Sequence, residues 1–408
     1  MDIHLAKSLT QNSKAETAAQ LLRRCVHCGF CNATCPTYQL LGDEADGPRG
    51  RIYLMKQMLE SGEADSRSRL HLDRCLMCRS CETTCPSGVE YSSLLELGRE
   101  LHQDLAPRPI KETLQRKLLT SLLLNTQPLK ATVKVGQLLR PVLPLAVQQK
   151  LPDTDLYVTK PTTLSARKML MLKGCVQASI APNTNAATVR VMDKLGVNLI
   201  EPAAGCCGAM RLHTNGHEQG LKDIKRLIDQ WWPTIEQGVE AIIFTASGCG
   251  VTIKDYGDLL KDDELYAEKA QHISELAMDI SKVIAREFKR RDKVPMVGRA
   301  QRVAFQSPCT LQHGLKLNGV VEKILSAVGY IVLPVNDGHL CCGSAGTYSI
   351  FQKELSQQLA QDKVQNLTTD KPDVIATANI GCQLQLKSNT TVKVVHWIEL
   401  IEAAISNK

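Results

Sequence analysis

Short apolar runs alternate with longer amphipathic stretches through the second half of this 408-residue chain. Stretches of helical length, such as 219–238 and 348–365, lie between these runs. The predicted buried strands are 168–173, 197–201, 241–245, 302–306, 330–335 and 373–377. Strands that alternate with helices form βαβ units, so this pattern predicts α/β domains with mostly parallel sheets.

The first 160 residues predict helices instead. A polar helix is expected over 1–22, and the apolar positions Ile52, Met55 and Leu59 predict an amphipathic helix that stops at Gly62. Between 113 and 151, leucine-rich helical stretches are broken by prolines at 128, 141 and 144 and carry basic but no acidic residues. Such a basic amphipathic segment either lies on an anionic membrane surface or docks its apolar face on a neighbouring domain or subunit.

Two closely spaced cysteine runs lie in this helical part. Both read C-x2-C-x2-C-x3-C-P, over residues 25–36 and 75–86. Bacterial ferredoxins hold two [4Fe–4S] clusters with this spacing, and the cysteine before proline ligates the other cluster. We therefore expect one cluster on Cys25, Cys28, Cys31 and Cys85, and a second on Cys75, Cys78, Cys81 and Cys35.

Zinc is the plainer alternative, because four thiolates also suit a tetrahedral zinc ion. Zinc sites use two C-x2-C pairs separated by a longer loop, whereas here four cysteines fall within eleven residues and precede a proline. Disulfides are disfavoured because residues 1–20 lack the apolar core of a secretory signal, so a reducing cytosol is the expected setting. The spacing favours iron–sulfur clusters.

Six arginines lie in or beside the two cluster loops. They are Arg23, Arg24, Arg49, Arg51, Arg74 and Arg79. A cluster with four thiolates carries net negative charge, so a neighbouring guanidinium should favour the reduced form and raise the reduction potential. Each arginine can equally be a solvated surface side chain, since exposed charges interact weakly.

The α/β half of the chain is an internal duplication. Its cysteines recur at offsets of 134, 135 and 133 residues. The first copy holds Cys175, Cys206, Cys207 and Cys249, and the second holds Cys309, Cys341, Cys342 and Cys382. A further H-x2-E-L segment, at 272–276 and 396–400, is interpreted as structural and placed at helix starts. The cysteines are expected at the carboxyl ends of strands, where open α/β sheets place their sites.

Four thiols per copy permit several chemistries. Adjacent cysteines do not readily pair with each other, but both reach a metal when a following glycine permits a tight turn. A further iron–sulfur cluster, a zinc ion and a redox-active thiol pair all fit these residues. The flanking His213, His217, His313 and His339 are candidate ligands or, in the plainer interpretation, packed side chains.

Length and composition complete the prediction of an α+β multidomain protein. We expect an α-helical ferredoxin domain over 1–110, a basic helical linker over 111–160, and two duplicated α/β cysteine-rich domains over 161–295 and 296–408. A net charge of +7 without a basic aromatic motif argues against nucleic-acid binding, and no apolar run approaches the ~20 residues that span a bilayer. No G-x-G-x-x-G fingerprint opens a βαβ unit, so electrons must arrive from another chain.

The two kinds of cysteine motif together resemble known proteins. The long spacing around the cluster loops resembles the α-helical ferredoxin domain of respiratory dehydrogenases. The duplicated copies resemble the CCG domain of heterodisulfide reductases, with Thr252 and Gln385 in place of that motif's final cysteine. The most specific segments are 25–31, 47–54, 245–250, 309–313 and 341–348. As a set they resemble the family of glycolate oxidase iron–sulfur subunits.

That resemblance implies a cytoplasmic complex, peripheral on the inner face of the membrane, in which FAD-containing flavoprotein subunits oxidise glycolate to glyoxylate. The present chain would have no catalytic residues and would carry electrons to quinone or another membrane acceptor. Iron–sulfur subunits of glycerol-3-phosphate and lactate dehydrogenases are similar, which leaves those substrates open. The CCG resemblance implies instead a thiol/disulfide oxidoreductase that uses the CCG cysteines and is fed by the clusters.

Overall fold

A computed structural model of the chain describes residues 1–143, 148, 151, 165–214, 216–291 and 300–406. The predicted domain boundaries after residues 160 and 295 lie outside these residues, as does Pro144. The boundary predicted after residue 110 falls at the first residue of a helix, Ile110–Leu124.

The amino-terminal region is helical, as predicted. Its α-helices are α1 (Ser13–Arg23), α2 (Pro36–Leu41), α3 (Pro48–Ser61), α4 (Ser66–Asp73), α5 (Ser80–Thr84), α6 (Tyr91–Leu105), α7 (Ile110–Leu124) and α8 (Thr126–Leu138). Helix α1 begins later than expected, because the Asn12 side chain accepts hydrogen bonds from two amides of its first turn. Helix α3 ends at Gly62 as predicted, with this glycine in the left-handed conformation.

The predicted helix break at Pro128 is displaced. The chain leaves the helix at Asn125, and Pro128 lies in the first turn of α8. A proline is tolerated there because the first-turn amides have no intrahelical acceptor. The segment is therefore a pair of helices. Among the described residues, no helix has the length and hydropathy needed to span a bilayer.

Each cysteine-rich domain contains a parallel sheet of four strands. The strands are β1 (Lys168–Met171), β2 (Asn198–Ile200), β3 (Ile242–Phe244), β4 (Ala277–Asp279), β5 (Arg302–Gln306), β6 (Ile331–Leu333), β7 (Val374–Thr377) and β8 (Lys393–His396). The orders are β2-β1-β3-β4 and β6-β5-β7-β8, and every neighbouring pair is parallel. The predicted α/β fold with parallel sheets is confirmed.

Helices connect these strands. In the first domain they are α9 (Gln177–Ile180), α10 (Pro182–Lys194), α11 (Ala209–Leu212), α12 (His217–Glu236), α13 (Ser247–Lys254), α14 (Tyr256–Leu259), α15 (Ala267–Leu276) and α16 (Ile280–Lys289). In the second they are α17 (Val320–Ala327), α18 (Tyr348–Phe351), α19 (Lys353–Thr368), α20 (Ile380–Lys387) and α21 (Trp397–Ile405), with a π-helix at Thr310–Gly314.

The fourth strand of each sheet was not predicted, and the H-x2-E-L correspondence is wrong. His272 lies within α15, whereas His396 caps α21 by accepting a hydrogen bond from the amide of Ile398. The structural counterpart of His396 is Asp279, which ends β4 and caps α16. The first copy inserts α14 and α15 before its fourth strand, so its sequence spacing differs from that of the second.

The two cysteine-rich domains share one hydrophobic core. Helices α10 and α16 of the first domain pack against α21 and α17 of the second. Trp397, at 0% exposure, lies in the middle of this core. At its rim Arg190 forms a bidentate ion pair with Glu402, and Thr184 donates to Glu399 over 2.7 Å. Because apolar burial is the main stabilising contribution, the domains are expected to hold each other in place.

Candidate iron–sulfur and thiol sites

The two ferredoxin loops have the same backbone course. His27 and Met77, two residues after the first cysteine of each run, both have positive φ, at 56° and 54°. Their amides point at the first cysteine sulfur, with N–Sγ distances of 3.5 Å in both loops. Gly29 and Arg79 are also left-handed, at 82° and 59°. Each loop thus curls around its own thiols, although Arg79 adopts a conformation that favours glycine.

The short helices after the two loops pack on each other and bring the fourth cysteines across. The Thr84 hydroxyl donates to that of Thr34 over 3.2 Å. One cavity is lined by Cys25, Cys28, Cys31 and Cys85, and also by Cys81. The adjoining cavity is lined by Cys75, Cys78, Cys81 and Cys35. The structure therefore places the last cysteine of each run beside three thiols of the other run, while Cys81 lines both cavities.

The hydroxyl of a buried tyrosine between the two cavities fits a bound iron–sulfur cluster. Tyr91 is 5% exposed and lines both cavities. Its hydroxyl has no hydrogen-bond partner among the described residues. A buried donor without a partner costs free energy, so this hydroxyl requires an acceptor inside a cavity. Inorganic sulfide or thiolate sulfur would supply one, and the residues present fit iron–sulfur clusters.

Burial keeps four of the ferredoxin thiols protonated. Burial raises the pKa of Cys31 to about 11 and also raises the pKa of Cys25, Cys78 and Cys81. Such thiols stay protonated at neutral pH unless a cation replaces their protons. Because thiolates are the ligands of iron, metal binding and proton release are coupled at these sites.

The eight CCG cysteines lie at the carboxyl ends of adjacent parallel strands, as predicted. In the first sheet Cys175 follows β1, Cys206 and Cys207 follow β2, and Cys249 follows β3. The second sheet repeats this with Cys309 after β5, Cys341 and Cys342 after β6, and Cys382 after β7. Three neighbouring strands converge on one edge, so the four thiols of each copy form one group.

A tight turn presents each cysteine pair. Gly208 and Gly343 have φ of 86° and 80°, and a β-carbon at Gly343 would lie 2.6 Å from the Ser356 carbonyl oxygen. No other residue type fits this turn without strain. In the second copy the sulfurs of Cys309 and Cys341 are 3.9 Å apart. The hydrogen bond that Cys309 donates to Cys341, together with burial, raises the pKa of Cys309. The same bond lowers the pKa of Cys341, but the hydrogen bond with Cys342 and burial raise it overall, so this group too favours a bound cation.

The two thiol groups lie side by side across the domain interface. The last cysteine of each copy is in the first turn of a helix, α13 or α20. Ser247 of α13 donates its amide to Ala378 over 3.2 Å, and its hydroxyl lies 2.7 Å from that of Thr310. The Asn379 side chain accepts from the Gly248 amide and donates to the Cys382 sulfur, at 3.2 and 3.6 Å. Hydrogen bonds therefore link the residues beside Cys249 of the first thiol group to those beside Cys309 and Cys382 of the second.

The flanking histidines face the ferredoxin region. His217 Nδ1 lies 2.7 Å from Glu100 Oε1, and this carboxylate raises the pKa of His217. The two ring nitrogens of His313 contact the Thr83 hydroxyl and the His339 carbonyl oxygen, at 2.9 and 3.1 Å. His213 Nδ1 is 3.9 Å from Glu96. These three rings connect domains.

The second ferredoxin site adjoins the second thiol group. Leu76, Cys78, Cys309, Cys341 and Tyr348 belong to one buried cluster. The charge on Cys309 is among the causes that raise the pKa of Cys78, after burial. Both thiol groups also open into one cavity of about 1100 Å³, which the second ferredoxin loop helps to line. Sequence analysis could not place this cavity, because its walls come from three separate parts of the chain.

The six arginines differ in their environments. Arg24 pairs with Glu90 at the surface, and Arg49 pairs with Glu44 over 2.6 Å. Arg79 reaches Asp255 of the first cysteine-rich domain over 2.6 Å. Arg51 is 1% exposed and is the only member of the six that is fully buried. Arg74 lies beside it, and Arg23 is exposed.

Known protein families match the same segments. A model of the 4Fe-4S dicluster domain matches residues 21–89, and a model of the CCG cysteine-rich domain matches 169–254 and 303–387. The chain is therefore an iron–sulfur protein with a [4Fe–4S] dicluster domain and two cysteine-rich domains.

Curated relatives narrow this class. The chain is 49% identical, over the full length of both proteins, to the glycolate oxidase iron-sulfur subunit of Escherichia coli (strain K12). It is 31% identical to the probable glycolate oxidase iron-sulfur subunit of Bacillus subtilis (strain 168), over 95% of each chain. Lactate utilization protein A of Bacillus licheniformis is 24% identical over 58% of this chain and 99% of that protein. The chain belongs to the glycolate oxidase iron–sulfur subunit family.

Proposed function

We propose that this chain is the electron-transfer subunit of a flavoprotein complex that oxidises a 2-hydroxy acid, most specifically glycolate to glyoxylate. The carrying observation is that thiols of both cysteine runs line two adjoining cavities, the second of which abuts a further thiol group. Oxidation of glycolate releases two electrons and two protons, which a partner FAD would accept. A [4Fe–4S] cluster takes up one electron at a time and would relay the pair singly.

We assign the ligands of the two clusters from the thiols that line the two cavities. The first cluster is assigned to Cys25, Cys28, Cys31 and Cys85, and the second to Cys75, Cys78, Cys81 and Cys35. The eight CCG cysteines are assigned to two further metal sites, with iron–sulfur and zinc as the candidate occupants. Hydrogen bonds between neighbouring thiols, together with burial, raise the pKa of Cys175 and Cys309, and a bound cation would replace these protons.

Electron entry is proposed at the first ferredoxin loop. Cys28 is solvent-exposed, and the neighbouring Val26 and Phe30 are 65% and 61% exposed. Tyr53 stands beside the same loop, with its ring 6.4 Å from that of His27. An exposed apolar patch around a cluster ligand is the kind of surface a flavoprotein partner would cover. The second loop is instead enclosed by the cysteine-rich domains.

Metal analysis and partner identification test this function together. Anaerobically purified chain is expected to contain at least about eight iron atoms and eight acid-labile sulfides, the content of two cubane clusters. A tagged chain purified from its native cell should bring with it an FAD-containing subunit that reduces the clusters when glycolate is added. A Cys28→Ser, Cys78→Ser double variant serves as the control that lacks both clusters. Zinc alone, or full clusters that no co-purified flavoprotein reduces, would count against the proposal.

A thiol/disulfide oxidoreductase is the second candidate function. The observation in its favour is that both CCG thiol groups open into the same cavity of about 1100 Å³, a size that holds a small molecule. The absence of the CCG motif's final cysteine argues against this function. Thr252 and Gln385 stand at its position, and their side chains donate hydrogen bonds to backbone carbonyl oxygens. Thiol release from a small disulfide by the chemically reduced chain alone would favour this function.

Helix α7 is proposed to hold the complex at the membrane, where quinone would be the final acceptor. Four apolar side chains spaced by four residues point to solvent: Ile110, Leu114, Leu118 and Leu122, at 88%, 65%, 70% and 44% exposure. The helices α7 and α8 carry an excess of lysine and arginine, which complements anionic lipid. The opposite side of α7 is tied to the protein, since Arg116 pairs with Asp73 of α4 and lies 4.4 Å from the centre of the Phe351 ring.

Vesicle flotation is expected to confirm this surface. The chain should float with vesicles of phosphatidylcholine and phosphatidylglycerol, less so with phosphatidylcholine alone or at high salt. A Leu114→Glu, Leu118→Glu variant should lose most of this binding, because it places charge on the apolar stripe. Leu265→Glu is the matched control, as Leu265 is 78% exposed on the first cysteine-rich domain. If neither vesicle binds the unaltered chain, α7 faces a partner subunit instead.

A further inference from the structure

A fully buried arginine lies against the second cluster cavity. Arg51 lines this cavity together with Cys35 and Cys75 and is 1% exposed. Removing a guanidinium from water is costly unless negative charge and hydrogen bonds compensate it. The carboxylate of Asp46 lies 3.5 Å away, and the ligand thiols Cys35 and Cys75 line the same cavity. The second cluster and Arg51 are therefore electrostatic partners.

Hydrogen bonds fix this guanidinium close to a cluster ligand. Its Nε donates to the carbonyl oxygen of His71 over 2.6 Å, and its Nη2 donates to the Thr37 hydroxyl over 3.1 Å. The same hydroxyl lies 3.3 Å from the sulfur of Cys35. Arg51 is thus one side chain removed from the sulfur, in an interior where charges are weakly screened.

One carboxylate does not neutralise the positive charge beside this cavity. Asp46, at 0% exposure, lies 3.5 Å from Arg51 and 2.7 Å from Arg74, so two guanidiniums share it. His71 Nδ1 is a third neighbour of Asp46, at 3.1 Å. Arg99, itself 8% exposed, donates to the carbonyl oxygen of Cys75 over 3.1 Å. The guanidiniums of Arg51 and Arg74 thus share one carboxylate, and a third guanidinium contacts the backbone of a cluster ligand.

The charged groups near the first cavity are more exposed to solvent. Arg49 pairs one-to-one with Glu44, and their side chains are 36% and 44% exposed. The amino-terminal ammonium donates to the carbonyl oxygen of Cys25 over 3.0 Å and to Arg23 at the surface. Water and salt screen such exposed charges far more than buried ones.

We propose that Arg51 raises the reduction potential of the second cluster above that of the first and so sets the direction of electron flow within the chain. This inference rests on the proposed two-cluster function. Reduction adds one negative charge to a cluster, and a fixed guanidinium in a low-dielectric interior stabilises that charge. Electrons that enter at the exposed first loop then move to the buried second site, next to Cys309 and Cys341.

Redox titrations followed by EPR test the inference on the full chain. The Cys28→Ser and Cys78→Ser variants first assign each EPR signal to its cluster. Arg51→Met is expected to shift the second cluster to a more negative potential and to leave the first unchanged. Arg51→Lys should restore much of the potential, because it keeps the charge. Arg49→Met is the matched control, with a smaller shift confined to the first cluster.

Asp46→Asn separates charge from structural damage. Removing this carboxylate leaves the guanidiniums less compensated, so the second cluster should shift to a more positive potential, opposite to Arg51→Met. If the Arg51→Met variant assembles no second cluster, the direction in which Asp46→Asn shifts the potential of the second cluster tests the inference instead. The inference would be overturned if the potentials of both clusters shifted equally, if neither variant shifted a potential, or if Asp46→Asn made the potential of the second cluster more negative. The electron-transfer function would still stand. Unaltered chain without cubane signals would overturn that function as well.

Discussion

Cys35→Ser is expected to destroy the second cluster, although Cys35 belongs to the first cysteine run. Its thiol lines the cavity of Cys75, Cys78 and Cys81, and the first run contributes only its other three cysteines to the first cavity. A serine oxygen is a poor ligand for this soft sulfur–iron site. Iron should therefore fall by about four atoms per chain, or by about one where a three-iron form persists.

The EPR spectrum identifies which cluster is affected. Cys35→Ser should give the spectrum of Cys78→Ser, with the first cluster intact. Cys28→Ser is the contrasting control, because it should remove the other signal. A match between Cys35→Ser and Cys28→Ser would mean that each run holds its own cluster, and the crossed ligand assignment would be wrong.

Trp397→Ala is expected to lower the free energy of unfolding of the cysteine-rich domains by about 3–5 kcal/mol, the range for large-to-small changes in a core. Trp397 is 0% exposed between the two domains. Its indole N–H has no hydrogen-bond partner among the described residues, so the cost comes from packing. Urea denaturation followed by circular dichroism measures this change.

The shared core adds a second expectation to this variant. Both cysteine-rich domains should lose structure in one transition, because the tryptophan and α16 contribute to the same apolar cluster. Trp232→Ala is the matched control, since Trp232 is only partly buried, and its change should be much smaller. Two separate unfolding transitions would contradict this expectation. If Trp397→Ala shifted only the transition of the second cysteine-rich domain, the domains would fold independently.

Local pattern was enough for much of the fold. Six strands were predicted because each is an apolar run between turn-forming residues, and the observed strands fall inside the predicted ranges. The fourth strand of each sheet was not predicted. The insertion of α14 and α15 before β4 shifted the apparent repeat from Asp279 to His272. A repeat alignment fails where one copy gains an element.

The histidines and arginines show what sequence spacing leaves open. His313 follows Cys309 closely, yet its ring nitrogens contact Thr83 and the backbone of His339. Arg49 and Arg51 are two residues apart, but one is exposed and the other fully buried. Residues at this spacing on a helix point in different directions, so the side that faces the core decides their role.

The amino-acid sequence was sufficient to predict the candidate ligands, since iron–sulfur chemistry requires thiolates and the two C-x2-C-x2-C-x3-C-P runs supply them at loop spacing. It was also sufficient to find the duplication, because eight cysteines recur at nearly constant offset. Contacts between distant parts of the chain were needed to show that the second loop meets the second thiol group and that both groups open into one cavity. It alone placed Arg51 beside the second site and Tyr91 between the two. These contacts join residues far apart in the chain, and they depend on which helix faces pack together, which no local pattern encodes.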